Sequence, residues 1–322
     1  MLYMHDRTIG STDIQVSEVA LGTWAFASGA YGSVAETDAI NTIKSAIDSG
    51  ITLFDTAPLY GNAERDGISE EILGKGLGSD REKVLISTKF GRYSTQRASP
   101  NFHAQRAYES VESSLKRLNT DHIDILFFHS PFSSEEIQDD VWDALANLKQ
   151  QGKIRLIGHS ISKFEDTQQM ARDWATERKI DTIQVVYSLM NRESTSLIRD
   201  LGEQGIGIFA RESLANGFLS GTITHDTQFE SNNLNKRYPV EEIAERVDYV
   251  DSLSFLIRND IQTMPQAALR WVLDNPHVSL VLSGAKNPSE LKDAIAASTS
   301  SSFTENEHQR AQELHTRDFQ AA

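Results

Sequence analysis

Short apolar runs recur along the chain at regular intervals. Eight of them are candidate strands: EVAL (18–21), ITLFD (51–55), KVLIST (83–88), HIDILFFH (122–129), IRLIGHS (154–160), TIQVVYS (182–188), IGIFA (206–210) and VSLVL (278–282). Most are apolar throughout rather than alternating, which is typical of parallel strands covered on both faces. Segments with helical spacing lie between them, for example Tyr108, Val111, Leu115 and Leu118. The pattern therefore predicts alternating strands and helices.

Eight strand–helix units predict an α/β fold, a closed (β/α)₈ TIM barrel forming one domain over residues 1–322. An open, doubly wound sheet normally has a glycine-rich first turn, and GKGLGS (74–79) follows a helical stretch, the wrong order for that motif. RTIGSTDIQV (7–16) predicts a β-hairpin over the bottom of the barrel. Residues 215–260 predict an inserted loop and helix after the seventh strand, and residues 299–322 a polar tail with a terminal helix.

Composition narrows the range of functions. The 322 residues carry 31 Lys and Arg against 46 Asp and Glu, a net charge of −15, which disfavours nucleic acid and anionic membranes as partners. An anionic ligand would need a local basic or dipolar site. The absence of cysteine excludes disulfides and thiolate chemistry, and no metal-ligating pattern is visible. The first residues lack a signal-peptide pattern and no apolar stretch is long enough to span a membrane, so we expect a cytoplasmic protein that acts on a small molecule. Nothing in the sequence indicates the oligomeric state.

Polar side chains stand at or near the ends of the predicted strands. They are Asp55, Lys89, His129, Ser160, Gln184 and Arg211. Each alone has an ordinary structural explanation, such as a helix cap, a solvated charge or a buried histidine. Because the carboxyl ends of all barrel strands face one mouth, where active sites of this architecture lie, we expect these side chains to converge there.

Tyr60 adds chemistry to this group. A phenol normally keeps its proton up to a pKa of about 10. A lysine cation beside Tyr60 would lower that pKa, and Asp55 would hold the lysine charged, so the tyrosine becomes a usable proton donor. A nearby histidine could orient a carbonyl group. The chain itself supplies no hydride or electron source, so redox chemistry here would need an organic cofactor.

Taken in order, the motifs resemble the aldo-keto reductase superfamily. They are LGTW (21–24), GITLFDTAPLYG…SEEILGKGL (50–77), STKFG (87–91), IDILFFHSP (123–131), GKIRLIGHS (152–160), IQVVYSLMNR (183–192), LANGFLSG (214–221) and GAKNPSELKDAIAA (284–297). The resemblance implies an NAD(P)-dependent oxidoreductase on a (β/α)₈ barrel that transfers a hydride between nicotinamide and an aldehyde, ketone or sugar. It implies Tyr60 as general acid/base, Lys89 and Asp55 as its tuning partners, and His129 as the residue that orients the substrate.

The resemblance also implies the binding residues. Cofactor contacts would come from Gly22, Thr23, Trp24, Asp55, Ser160, Gln184, Arg211, Leu214, Gly217, Leu219, Gly284, Lys286, Glu290 and Asp293. The substrate pocket would be lined by Trp24, Tyr60, Arg92, His129 and Phe132, with Tyr93 and the 222–240 loop nearby. No metal is implied.

Some residues depart from the family pattern. Arg211 stands where an aromatic side chain commonly stacks on the nicotinamide, and a guanidinium plane can also stack. Glu290 replaces a frequent Arg or Gln, which suits a free ribose hydroxyl, whereas Lys286 favours a 2′-phosphate. The resemblance favours NADP(H), with NAD(H) as the alternative. Two other functions stay open: a nicotinamide-binding regulatory subunit, and a lyase using Lys89 as a Schiff-base nucleophile.

Overall fold

The structure of the protein, a computed structural model, describes residues 4–27, 34–96, 101–177, 179–230 and 233–319. Eight parallel strands close into a barrel in the order β10-β3-β4-β5-β6-β7-β8-β9, and a separate antiparallel pair, β1-β2, precedes it. The predicted (β/α)₈ fold and N-terminal hairpin are therefore confirmed. The strands are β1 (Asp6–Thr8), β2 (Gln15–Ser17), β3 (Val19–Gly22), β4 (Leu53–Asp55), β5 (Leu85–Phe90), β6 (Ile123–His129), β7 (Ile154–Ser160), β8 (Thr182–Val186), β9 (Gly207–Arg211) and β10 (Val278–Gly284).

Helices separate the barrel strands and form the outer layer. They are α1 (Glu36–Asp48), α2 (Ile68–Leu77), α3 (Ala104–Leu118), α4 (Asp140–Gln150), α5 (Phe164–Thr176), α6 (Thr195–Glu203), α8 (Met264–Leu273) and α9 (Pro288–Thr299), with α7 (Val240–Ser252) in the insertion and α10 (Glu305–Leu314) near the carboxyl terminus. Among the described residues, no helix is both long and apolar enough to cross a membrane.

Strand register brings the predicted polar side chains to one end of the barrel. Gly22 pairs with Asp55, and Asp55 with Ser87. Further round, His129 pairs with Ser160 and Ser160 with Gln184. Since these pairs lie at the carboxyl ends of neighbouring parallel strands, the residues line the mouth.

The hairpin closes the opposite end. Ile9, Ile14 and Val16 pack with inward-facing strand residues such as Phe127 and Phe209 into the core inside the barrel. Gly10 at the tip has φ +51, and a Cβ there would lie 2.2 Å from the carbonyl oxygen of Gly205, so only glycine fits this turn against the barrel. The bottom is thus plugged by apolar side chains, and the mouth is the open end.

A second, larger core lies between the strands and the helices. Its densest part is aromatic: Phe128 packs against Phe90, Trp142 and Trp174 with ring centroids 4.7 to 5.0 Å apart. Outward-facing strand residues are buried here as fully as inward-facing ones. This explains why the strands are apolar throughout rather than alternating.

The two irregular regions have defined positions. The loop after β9 leads through the 3₁₀ turns Ala215–Ser220 and Leu234–Arg237 into α7. After α10, the chain returns to the barrel, where the backbone N–H of Phe319 donates to the carbonyl of Met190 at 2.9 Å. The C-terminal segment, predicted as a polar tail, therefore packs beside the β8–α6 loop.

Candidate active site

A buried ion pair forms the centre of the mouth. Lys89, in β5, donates from Nζ to Oδ2 of Asp55, at the end of β4, over 2.6 Å. The two side chains are 1% and 4% exposed. Asp55 Oδ1 accepts from Ser87 Oγ at 2.7 Å and from Gln184 Nε2 at 3.0 Å. A carboxylate buried to this degree needs such partners, and two strands, β5 and β8, provide them.

Lys89 is fully engaged. Besides Asp55, its Nζ donates to the carbonyl of Thr56 at 2.9 Å and to Tyr60 OH at 3.1 Å. Burial alone would lower the pKa of Lys89, but the charges and hydrogen bonds of Asp55 and Tyr60 raise it above 10.5. An ammonium group with three acceptors for three N–H bonds is a poor nucleophile, so the geometry argues against the Schiff-base alternative.

Tyr60 lies in the turn after β4. Its N–H donates to the carbonyl of Ala57 at 3.0 Å, and its own carbonyl accepts from Ser69 N–H at the start of α2. These two hydrogen bonds fix the backbone on both sides of Tyr60. The phenol then lies within hydrogen-bond distance of Lys89.

The pKa of the Tyr60 hydroxyl differs from the expectation above. Burial raises it above 10.0, Asp55 adds to the rise, and the Lys89 and Arg211 charges only partly oppose it. Lys89 does favour the ionised form, as predicted, but desolvation outweighs it. In this structure Tyr60 is therefore a protonated donor at neutral pH.

His129 ends β6 and faces Tyr60 edge-on, with ring centroids 6.0 Å apart and planes at 86°. Burial lowers its pKa well below 6.5, and the charges of Lys89, Arg92 and Arg211 lower it further, so the ring is neutral at pH 7. Nδ1 is buried with no hydrogen-bond partner among the described residues. Because an N–H without an acceptor costs more than an unused lone pair, the proton belongs on Nε2, which can then donate.

Ser160 and Gln184, the residues predicted to hold the nicotinamide carboxamide, lie next to this group. Ser160 Oγ is 3.4 Å from Gln184 Oε1 and 3.3 Å from Ser130 Oγ. Gln184 is already tied to Asp55 through Nε2. Thr23 is fully buried and donates from Oγ1 to the Asp55 carbonyl at 3.0 Å, so this side chain positions the β4 end rather than facing the mouth.

The loop after β9 has an unusual backbone. Positive φ angles occur at Glu212, Ala215, Asn216 and Gly217, with values of 56°, 47°, 55° and 94°. Non-glycine residues adopt this region at a cost of about 1–3 kcal/mol each, and such strain clusters at ligand-binding segments. Leu219 is fully buried beneath the loop and Leu214 is partly exposed.

Arg211 and Glu212 form an ion pair at the start of that loop. Arg211 also donates from Nη2 to the Ile161 carbonyl at 2.9 Å, joining the loops that follow β9 and β7. Glu212 accepts from Asn216 Nδ2 at 3.2 Å. Pairing with Arg211 explains how an acidic residue is tolerated here.

The predicted adenosine end lies at the start of α9. Glu290 accepts the Lys286 N–H at 2.9 Å and the Asn287 side-chain amide at 3.0 Å. Asp293 instead faces α8, accepting from Thr263 Oγ1 and Gln266 Nε2 at 2.8 Å each. Asp293 therefore joins two helices, while Glu290 and Lys286 lie at the rim.

Predicted substrate residues surround the mouth. Trp24 begins the 3₁₀ turn Trp24–Phe26 after β3 and is partly exposed. Phe132 is 50% exposed, and its ring lies 4.0 Å from the Arg92 guanidinium carbon. Tyr93 is buried on the α3 side, with Arg106 4.9 Å from its ring. In the 222–240 loop, residues 231 and 232 lie outside the described part of the chain.

Sequence reasoning missed several contributors. Ser87 and the Thr56 carbonyl hold the ion pair, and Ser130, with φ +49, forms the turn that ends β6. The terminal helix was predicted, but the approach of the following segment to the β9 loop was not: Phe319, Asn216 and Glu212 line one small cavity there. Of these contributors, only Ser87 could have been predicted from the sequence. It stands two residues before Lys89 on the same strand, so the two side chains point the same way.

Three glycines border open space at this mouth, which suits the close approach of a nicotinamide cofactor. A Cβ placed on Gly284 would have nothing within 4 Å, and one on Gly22 or Gly217 would meet only a single atom at 3.8 Å. Glycines beside open space let a ligand approach the backbone closely. In the part of the chain that the structure describes, no group of three or more His, Asp or Glu side chains is placed to hold a metal ion.

Comparison with known proteins agrees with this geometry. The Aldo/keto reductase family model matches residues 18–316. The aldo-keto reductase YhdN of Bacillus subtilis is 33% identical over 297 residues, covering 90% of this chain and 87% of that protein. The NADH-specific methylglyoxal reductase of Escherichia coli is 32% identical over 312 residues, covering 90% and 92%. Among solved structures, the glycerol dehydrogenase AKR11B4 from Gluconobacter oxydans superimposes with a TM-score of 0.80 at 28% identity, covering 97% and 96%.

The family match over residues 18–316 shows that the chain belongs to the aldo/keto reductase family. It is an NAD(P)H-dependent oxidoreductase that acts on carbonyl compounds or sugars.

Proposed function

We propose that the protein interconverts a carbonyl compound and its alcohol, with Tyr60 as the general acid/base. The contact that carries this proposal is the 3.1 Å hydrogen bond between Lys89 Nζ and Tyr60 OH. Bound nicotinamide would supply or accept the hydride. The protein would supply and take up the proton at the phenolic oxygen.

Each of the four mouth residues has a distinct task in this proposal. In the reductive direction, Tyr60 donates its proton to the carbonyl oxygen as negative charge develops there. Lys89 stabilises the phenolate that remains, and Asp55 keeps Lys89 charged and fixed. Neutral His129 donates from Nε2 to the same carbonyl oxygen, which orients the substrate and stabilises the developing alkoxide.

The cofactor would lie across the mouth between β7 and β10. Ser160 and Gln184 would hold the carboxamide, and the face of Arg211 would cover the nicotinamide, since its edges are used by Glu212 and Ile161. The strained loop from Glu212 to Gly217 would follow the pyrophosphate.

Local charge at the adenosine end bears on coenzyme choice. The family resemblance favours NADP(H), and that preference stays a prediction. The carboxylate of Glu290 at the start of α9 would repel a 2′-phosphate, which argues for NAD(H), and the E. coli relative is named NADH-specific. Titrating NADH and NADPH by fluorescence decides between them. Glu290→Gln should tighten NADPH binding while leaving NADH binding nearly unchanged.

The decisive test of the proton role is Tyr60→Phe. We expect turnover of an aldehyde to fall by about 10³-fold or more, with NAD(P)H binding retained. Tyr108→Phe is the matched control, because Tyr108 lies on α3 and its hydroxyl accepts from Asn147. Undiminished turnover in Tyr60→Phe would remove this residue from the mechanism. Tight NAD(P)H binding by the wild type without turnover of any aldehyde, ketone or sugar would favour the regulatory alternative.

A further inference from the structure

Arg92 lies at the rim of the mouth beside His129. Its Nε donates to the carbonyls of His129 and Ser130 at 2.8 and 3.0 Å, and Nη2 donates to the Ser130 carbonyl at 2.6 Å. One edge of the guanidinium therefore holds the turn after β6, in which Ser130 has φ +49. This fixes the cation relative to His129.

The other edge of the same guanidinium is unused. Nη1 and the second N–H of Nη2 have no acceptor among the described residues, and no described carboxylate lies within 4.0 Å. Phe132 covers one face of the group and is itself half exposed. Arginine keeps its charge, so a partly buried guanidinium without a counter-ion favours binding of an anion.

None of the described carboxylates forms an ion pair with Arg92. Asp55 is held by Lys89, Ser87 and Gln184. Glu212 is held by Arg211 and Asn216 on the far side of the mouth. Glu136 offsets the Arg92 charge only in part, because it acts from beyond ion-pair distance while its Oε2 accepts the Phe132 N–H at 2.8 Å. The surroundings of His129 are consequently cationic, in a chain whose net charge is −15.

We propose that Arg92 binds an anionic group on the substrate, so that the enzyme prefers carbonyl compounds carrying a carboxylate or phosphate. The terminal Nη1–Nη2 edge presents two parallel N–H donors, which match the two oxygens of either group. This inference rests on the proposed function, because the reacting carbonyl oxygen must lie between Tyr60 and His129. Arg92 is thus a specificity residue with a second, positioning contact to the β6 turn.

The test compares substrate pairs that differ in charge. Succinic semialdehyde against butanal tests a carboxylate, and glyceraldehyde 3-phosphate against glyceraldehyde tests a phosphate. We expect wild type to have the higher kcat/KM for at least one anionic member. Arg92→Gln should lower the anionic-to-neutral ratio by about 10- to 100-fold, the effect of losing a charge-assisted hydrogen bond. Arg92→Lys should fall between, because it keeps the charge and loses the paired donors.

Controls separate this role from loosening of the turn. A purely positional loss would lower kcat for both members of a pair and leave their ratio unchanged, which would overturn the proposal. Arg155→Gln makes the same charge change at the other end of the barrel, on a side chain 46% exposed, and should keep the wild-type ratio. The pair that responds shows whether the group is a carboxylate or a phosphate.

A binding measurement makes the inference independent of turnover. Butyrate and neutral butyramide are titrated against the enzyme loaded with NAD(P)H, with nicotinamide fluorescence as the readout. Butyrate should bind more tightly to wild type, and Arg92→Gln should remove that difference. Equal binding of both compounds to wild type would contradict the anion site. Absence of turnover on every carbonyl, with butyrate selectivity intact, would count only against the proposed function.

Discussion

The two ends of the barrel both contain buried ion pairs, and they differ in how completely the groups are satisfied. At the bottom, Asp124 is 1% exposed and accepts from Arg81 at 3.1 Å, Arg155 at 3.0 Å and the Ile86 N–H at 2.9 Å. Arg81 also donates to Thr120 Oγ1 and to the carbonyls of Val84 and His122. The Asp124 carboxylate is thus satisfied within the fold.

At the mouth, some hydrogen-bonding groups have no partner among the described residues. His129 Nδ1 and Arg211 Nε are buried without partners among the described residues, and one edge of Arg92 is unused. Backbone strain is concentrated here too, at Ser130 and through the β9 loop. The same side-chain types therefore stabilise the fold at one end and remain available to a ligand at the other. Between these two networks, the donors left for a ligand, rather than the presence of charge, mark the mouth.

The largest expected contrast comes from Lys89→Met at the mouth. Turnover should fall by about 10²- to 10⁴-fold, because the phenolate of Tyr60 loses its stabilising cation. Without that cation the pKa of Tyr60 rises further, so the alkaline limb of the rate profile should move to higher pH. Steady-state rates followed from pH 7 to beyond pH 11 measure both effects, because the pKa of Tyr60 already lies above 10.0 in the wild type. Lys149→Met, which removes a side chain 39% exposed and paired with Asp181, is the control. An unmoved alkaline limb would exclude coupling between Lys89 and Tyr60.

The substitution Asp124→Asn tests the ion-pair network at the bottom of the barrel. Removing one charge from a buried network leaves Arg81 without its carboxylate, and we expect a loss of about 3 kcal/mol in the free energy of unfolding. Urea titration measures this loss, while kcat of the folded variant should match wild type. A variant as stable as wild type but slower would reverse the roles assigned to the two ends.

The third prediction compares two buried histidines. His159 packs on Trp174 in the outer core, and burial lowers its pKa to about 3. Between pH 6.5 and 3 the unfolded chain binds a proton that the folded state does not, so stability falls with acidification in this window. His159→Phe should remove the loss, a gain of about 2 kcal/mol at pH 5 relative to its effect at pH 8. Urea unfolding at both pH values tests this, and an equal shift at each pH would contradict it. Turnover should be unchanged, in contrast to a substitution at His129.

The smallest expected effect concerns non-glycine residues whose φ angle is positive. Asn119, with φ +53, caps α3 in an exposed position, and Asn119→Gly should stabilise the protein by up to about 0.5 kcal/mol without changing turnover. Ser130→Gly relaxes the same kind of strain beside His129, and turnover should fall several-fold as the turn loosens. Parallel thermal melts and rate assays on the two variants would reveal whether strain matters only at the mouth. Equal turnover in both would refute that view.

Much of this comparison could be predicted from the sequence. Eight apolar runs with helical spacing between them indicated the barrel, because buried parallel strands need no alternation. Asp55, Lys89 and His129 were predictable at the mouth, since strand ends converge there. The depth at which Tyr60 is buried could not be predicted from the sequence, because no local pattern shows how many atoms surround a phenol. That burial raises the pKa of Tyr60, whereas the sequence analysis expected Lys89 to lower it.

Contacts between distant segments were also beyond the sequence. Asp293 was assigned to the cofactor by resemblance, yet it faces Thr263 and Gln266 on a neighbouring helix. The hydrogen bond from Arg92 to the β6 turn depends on the positive φ of Ser130, and a serine in the sequence does not predict a positive φ. The packing of Phe319 beside Met190 joins positions far apart in the chain, where spacing carries no information.

The pairing of β10 with β3 has a consequence for biosynthesis. Gly284 pairs with Gly22, so the sheet becomes a cylinder only after the last barrel strand has left the ribosome. Until then β3 and β9 each present a row of free peptide groups to other chains. A nascent chain interrupted before β10 therefore exposes two strand edges that can pair with other chains.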